Sequence, residues 1–374
     1  MFLALRELSF ARGRFALMGL VVALIALLVV LLSGLSVGLV NDGVSGLQRM
    51  PVTAFAFQQD VAKDSAFSRS VVELDAVDTW RGQDGVEAAE AFGNTLVNAR
   101  SDRGVEIDLA LFGVQVGSFL DPEVASGARL KNEGEVVISD TAAEEGVAVG
   151  DTITLEPAGT SLKVVGVMAD QHTFGHVDVG YLPLKTWQEI AAGVRPGDEV
   201  PARVYEEITA VAIKAPGDVD LAAGDRAAGT TSMTREESFG ASPGYTAETS
   251  TLLLIQVFLY VISALVVGAF FTVLTIQRKH ELAVVRALGA STGYLLRDSI
   301  FQSLVLLVIA AAVGVALGVA AGAALASTPM PFALEAGSIA TATLLLVVLG
   351  LVGAAVAVLR ISRIDPVTAL GANR

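Results

Sequence analysis

The chain has 374 residues, 53% hydrophobic and 17% charged, with a net charge of −14 and no cysteine. It is too apolar for an ordinary soluble protein and too charged for a bundle lying wholly within a membrane, so a sizeable soluble domain must accompany several spans. The missing cysteines exclude disulfides and thiolate chemistry. With no basic stripe to neutralise phosphates, nucleic acid is excluded as a partner.

Residues 1–14 place Phe2, Leu5 and Leu8 opposite Arg6 and Glu7, the pattern of an amphipathic helix on a membrane surface. Residues 15–40 then run without a charge. That is longer than the ~20 residues a bilayer requires and far longer than the ~7–15 apolar residues of a secretory signal. No cleavage pattern follows, so it reads as an uncleaved first span. Gly34 and Gly38, four apart near its end, permit close approach of another helix.

Residues 41–250 read as one inserted domain. They hold 34 acidic and 15 basic residues, a net −19, whereas the rest of the chain holds 5 and 10, a net +5. An acidic soluble domain is thus set into a basic membrane frame. β-rich runs occur at 53–57, 107–116, 135–139, 152–156, 162–168 and 208–214. Helical patches fall at 84–92, 141–146 and 184–192, with turns at Gly150-Asp151, Pro157 to Gly159 and Pro196-Gly197-Asp198. This mixture predicts an α+β domain rather than a doubly wound sheet. Residues 214–250 read as loops returning the chain to the membrane. His172 and His176 are the paired histidines. On a helix their spacing would present both rings to a metal or haem, whereas Thr173 and Gly175 favour a loop.

Residues 251–276 form the second uncharged run, 299–326 the third span, 327–338 a short loop with Pro329 and Pro331, 339–359 the fourth span, and 360–374 a tail. Gly314, Gly318 and Gly322 recur every four residues, a face along which another backbone can pack. Arg6, Arg12 and Arg14, then Arg278, Lys279, Arg286 and Arg297, then Arg360 and Arg363 mark one side of the membrane. By the positive-inside rule that side is cytoplasmic. Both termini are expected inside a plasma membrane, with 41–250 outside.

The charged segment 277–298 separates the second and third spans. Within it Arg278, Glu281, Leu282, Val285, Arg286 and Leu288 follow helical offsets. Arg278 and Glu281 are spaced to pair, worth ~0.2–0.5 kcal/mol if exposed. Arg286 suits the end of a helix and Gly289 its stop. Such cations could simply anchor a span, as positive residues flank most spans. No GxxxxGK[ST] or HExxH motif occurs anywhere.

The wording of this segment, RKHELAVVRALGAS, resembles the signature that follows a membrane helix in FtsX/MacB-type ABC transporter permeases. The tail, with Arg363 and then Asp365-Pro366, is similar to theirs too. The start MFLALRE and the run LLSGLSVGL are similar to the four-span haem-exporter (HrtB-like) and DevC-like branch. The resemblance implies that Arg278, Lys279, Glu281, Leu282, Arg286, Leu288 and Gly289 contact a separate ABC ATPase. That partner would bind ATP and Mg; this chain would hold no cofactor and would pair with a second permease chain, a homodimer in the lipid bilayer. The implied activity is efflux of a hydrophobic or amphiphilic substrate (haem, lipid or drug-like) by mechanotransmission. The alternative is an FtsX-like regulatory subunit that signals to an extracellular partner such as a cell-wall hydrolase. Gln302 departs from the acidic residue common early in the third span of the family, and the first span offers no His, Tyr, Cys or Glu as an axial haem ligand, Met18 lying near its inner end.

Overall fold

A computed structural model describes residues 12–277, 284, 291–328 and 330–362. Residues 1–11 of the expected surface helix, most of the charged segment and the tail beyond 362 lie outside the described residues. The chain divides into two compact units, the domain Val40–Glu248 and the long helices flanking it in sequence.

In the domain, strands β1 (Ala54–Gln58), β2 (Val72–Glu73), β3 (Ala88–Ser101), β4 (Glu106–Val114) and β5 (Val124–Gly127) come first. β6 (Glu135–Ile138), β7 (Thr152–Glu156), β8 (Ser161–Met168), β9 (Thr173–Phe174) and β10 (Val177–Pro183) follow. β11 (Glu207–Ile208), β12 (Ala210–Lys214) and β13 (Thr230–Thr234) complete the set. β2 pairs only with β11; the others form one sheet in the order β13-β1-β12-β3-β4-β10-β6-β8-β5, with β9 beside β10. β7 pairs with both β3 and β8, closing β3, β4, β10, β6, β8 and β7 into a ring. Within the sheet β4–β10 and β6–β8 are parallel and the remaining pairs antiparallel.

Alternation along the strands feeds two cores, because successive side chains leave opposite faces. From β4, Leu109 and Leu111 join one core, while Ala110, Phe112 and Val114 join the other. The first core also receives Trp80, Trp187 and Ile190 from helices over Ala76–Arg81 and Leu184–Ala191. The second is aromatic: Phe55, Phe57, Phe67, Phe92, Phe112 and Phe174 meet mostly edge to face, the arrangement favoured by ring quadrupoles. Burial on both faces explains why β4 reads as nearly unbroken apolar sequence.

The expected helix over 84–92 is instead a loop leading into β3. Its Ala and Glu residues favour a helix, but Ala88 to Phe92 pair with β12 and bury Ala89 and Ala91 at period two, so sheet pairing overrides propensity. The stretch expected as loops after Lys214 contains the helix Leu221–Ala228, capped by Asp220, and the edge strand β13. The run 208–214 breaks at Thr209, since β11 and β12 take different partners.

Four long helices make the other unit, numbered here α1 (Arg12–Gln48), α2 (Tyr245–Gln277), α3 (Thr292–Leu325) and α4 (Ala336–Ser362). Each is long and apolar enough to cross a membrane. All four extend beyond the expected spans: α1 runs on to Gln48, α2 starts at Tyr245, α3 starts at Thr292, and α4 starts at Ala336, shortening the preceding loop. The interior joins Phe15, Met18 and Val22 of α1 to Phe271 of α2, Leu307 of α3 and Ala354 of α4. Leu17, Leu20, Leu24 and Leu28 face outward on α1, as lipid-facing residues do, since tails are as apolar as leucine.

Close packing depends on small residues. A Cβ at Gly314 would overlap the Ala23 carbonyl oxygen of α1, and one at Gly318 would lie 2.8 Å from Val30 Cβ. Gly314→Leu should therefore lower the thermal unfolding temperature of the detergent-purified chain by several degrees, overpacking costing ~1–3 kcal/mol. Gly337→Leu, which has open space around it, should leave the temperature within a degree or so of the parent. Equal effects would contradict the α1–α3 contact.

Candidate functional site at the His176 turn

β9 and β10 form a hairpin in which Phe174 pairs with Val177. The turn is thus Gly175-His176, with φ of 60° and 66°. Two positive values mark a type I′ turn, the form whose twist suits flanking strands. Glycine accepts that backbone freely; histidine does so at a cost of ~1–2 kcal/mol, so the surroundings must hold it there.

They do so from several sides. Phe174 is fixed in the aromatic core, 5.2 Å from Phe67 and 5.8 Å from Phe112 between ring centroids. The Gly175 N–H donates to the Gly43 carbonyl at 2.9 Å, and Ser242 Oγ donates to the same oxygen at 2.9 Å. The Thr173 N–H donates to Ser45 Oγ at 2.9 Å, and Thr173 Oγ1 to the Asn41 carbonyl at 3.1 Å. The His176 ring then bridges two carboxylates. Nδ1 lies 2.8 Å from Asp42 Oδ2, and Nε2 lies 3.1 Å from Glu248 Oε2. Asp42 Oδ1 also accepts from Gln171 Nε2 at 3.0 Å.

An imidazole donates to both carboxylates only when both nitrogens carry protons. All three side chains are partly exposed, at 25–35%, so screening limits each pair to about 1 kcal/mol or less. Their importance is positional. Asp42 lies just past the first uncharged run and Glu248 just before the second, so His176 fastens the start of the domain to its end.

His172 behaves differently. Burial pushes its imidazole toward the neutral form; the Arg49 charge adds to this, while Nδ1 lies 3.2 Å from the Asp170 carbonyl oxygen, which favours the proton. Asp178, the next acidic residue after His176, is 7% exposed and accepts from the Thr141 hydroxyl. Burial raises its pKa to about 6; the nearby Glu145 and Asp42 charges add to the rise, and hydrogen bonds from Thr141 and Ser139 oppose it.

The other residues marked in the sequence fall as follows. Arg278, Lys279, Glu281, Leu282, Arg286, Leu288 and Gly289 lie outside the described residues, as does His280. His172 and His176 share no helical face: the rings sit at opposite ends of a hairpin arm with separate partners. Among the described residues no three His, Asp or Glu side chains gather as metal ligands. Asp42 and Glu248 lie at opposite nitrogens of one ring, so the three side chains do not converge on a single point. Gly34 and Gly38 were expected to meet another helix, but the loop takes that place. Phe332 covers Gly34, Pro331 covers Gly38, and the Ala333 N–H donates to the Gly34 carbonyl at 3.1 Å. Gly314 and Gly318 face α1, while Gly322 faces Phe332 and Leu334. A further contact went unmarked: a Cβ at Gly353 of α4 would overlap the Ala264 carbonyl of α2.

Four apolar helices with an α+β domain inserted after the first define a multi-pass membrane protein with an extracytoplasmic domain of this kind. The chain matches the family described as MacB-like periplasmic core domain over residues 15–229, more than half its length, and the FtsX-like permease C-terminal family over residues 253–366. It belongs to the FtsX/MacB-type family of ABC transporter permeases. It is similar to a protein of Staphylococcus haemolyticus named as the hemin transport system permease HrtB, 24% identical with 99% of each chain covered. An uncharacterized ABC transporter permease of Mycobacterium tuberculosis is 22% identical, again with 99% of each covered. The periplasmic region of MacB from Actinobacillus actinomycetemcomitans covers 50% of this chain and 91% of its own, at 13% identity and a TM-score of 0.36, too low a likeness to add to the assignment.

Asp178 yields a prediction with a definite sign. Its raised pKa means the folded state keeps a proton, between pH 4 and 6, that the unfolded state has lost, so its contribution to stability falls as pH rises through that window. Asp178→Asn keeps an acceptor for Thr141 without the charge. Relative to the parent it should gain stability as pH rises from about 4 to 6, by at most about 3 kcal/mol, and then level off. Both tryptophans, Trp80 and Trp187, lie in the domain. Their fluorescence in the full chain therefore reports its unfolding alone. A pH-independent difference would contradict the assignment.

Proposed function

We propose that the chain is the permease subunit of an ABC exporter that works by mechanotransmission. The observation that carries this reading is the His176 bridge, which makes the two ends of the inserted domain a single attachment. A displacement reaching either end is then shared by both. The spans support it as well. Within the uncharged stretches 15–40, 251–276, 299–325 and 339–359 of these helices there is no Asp, Glu, Lys, Arg or His, whereas a polar route through a membrane is usually marked by such groups.

In this reading a separate ATPase binds ATP and Mg, and two copies of this chain stand together in the plasma membrane with both termini cytoplasmic. Residues 278–289 dock on the ATPase, with Arg278, Lys279, Glu281, Leu282, Arg286, Leu288 and Gly289 forming the contact. Closure of the ATPase moves the spans and, through them, the outer domain, which expels a hydrophobic or amphiphilic molecule. Hemin is the first candidate to test because the HrtB relatives carry that name.

Two variants separate the parts of this mechanism. Glu281→Lys replaces an anion by a cation beside Lys279 and Arg286, and should reach the membrane normally yet lose the ATPase on purification. His176→Leu should retain the ATPase and its hydrolysis but lose protection of cells against hemin, detergent or a membrane-active antibiotic. The purified chain alone should hydrolyse no ATP. Hydrolysis by the isolated chain, or full protection by both variants at parental expression, would contradict the proposal.

A further inference from the structure

Within the helical unit, α1, α2 and α4 surround a cleft of about 400 Å³. Ser33 and Ser36 of α1, Gln256 of α2, Glu335 before α4, and Ser338 and Thr341 of α4 line it. Ser33 is 6% exposed, yet neither its hydroxyl, nor that of Ser36, nor the Gln256 carboxamide has a hydrogen-bond partner among the described residues. Ser338 Oγ donates to Glu335 Oε2 at 2.6 Å, and no described cation pairs with that carboxylate.

These groups lie in or beside the uncharged runs. At that depth little water is present to satisfy a hydroxyl or carboxamide, and leaving one unpaired costs free energy. Three separate elements nevertheless turn polar groups into one space, and the loop fixes a carboxylate at its rim. Residues 331–333 are seated on Gly34 and Gly38, which sets Glu335 in place. Hydroxyl and carboxamide oxygens together with a carboxylate form an acceptor-rich lining, suited to an ammonium group with three N–H donors. The outward faces of α2 and α4 are apolar, with Leu253, Phe258 and Leu344 exposed. An alkyl chain attached to such a head can therefore lie among lipid tails.

We propose that this cleft binds the protonated primary amine of an amphiphile, its ammonium held by Glu335, Gln256 and Ser33 and its alkyl chain leaving among the lipid tails. The site belongs to the chain alone and stands apart from any coupling to an ATPase.

The test is equilibrium binding of radiolabelled dodecylamine to the full chain in phosphatidylcholine nanodiscs, with empty discs subtracted. Saturable binding near one molecule per chain is expected, weakened about tenfold or more by Glu335→Gln and again by Gln256→Leu, as for loss of a charge-assisted hydrogen bond. Dodecyl sulfate should not compete. Competition by added phosphatidylethanolamine would identify a membrane lipid as the natural source of the amine; binding undiminished by that lipid would identify a free cationic amphiphile. Helical circular dichroism and elution volume check that the variants remain folded. Non-saturable uptake, or unchanged affinity in the folded Glu335→Gln, Gln256→Leu double variant, would overturn the proposal.

Discussion

A domain inserted between two spans must bring its two ends back to the same place, and that closure governs this chain. The ends are Asn41–Ser45 and Ser242–Glu248. Neither pairs extensively with the other by backbone. The β9–β10 hairpin lies between them and bonds to both, through the Gly43 carbonyl shared by Gly175 and Ser242 and through the His176 ring. The strain of a histidine in the left-handed region is sustained by this set of contacts and by the anchoring of Phe174 in the aromatic core. Each individual bond is modest. Their convergence on a two-residue turn makes the junction a defined piece of structure.

The spans obey a different rule. In lipid no hydrophobic gain accompanies helix association, so contact must come from close packing and from satisfied polar groups. Small residues supply it: Gly314 and Gly318 against α1, Gly353 against α2, and Gly34 and Gly38 beneath the loop. The same rule makes the unpartnered Ser33, Ser36 and Gln256 informative, because a bilayer gives such groups little else to bond.

Sequence periodicity and charge were enough to separate the spans from the domain and to identify its α+β character. The uncharged runs are long, and the domain's acidic excess changes sign at its borders. Less was legible where tertiary pairing decides. Ala88 to Phe92 carries helix formers yet pairs with β12, and β13, TTSMT, is too polar to announce itself as a strand. The His176 junction was half visible: Gly175 marked a turn, but Asp42 and Glu248 stand 134 and 72 residues away and nothing local connects them. Gly34 and Gly38 signalled a close approach without indicating that a loop, rather than a helix, makes it.

The most direct test of the junction's role uses the absence of cysteine in the chain. Replacing Asp42 and Glu248 together by cysteine removes both carboxylates from His176, and a short bis-maleimide then rejoins the two ends covalently. If fastening those ends is what lets the domain respond to its spans, the unlinked variant should fail to protect cells and cross-linking should restore protection. Normal protection before cross-linking, or none after it in a folded chain, would contradict the account.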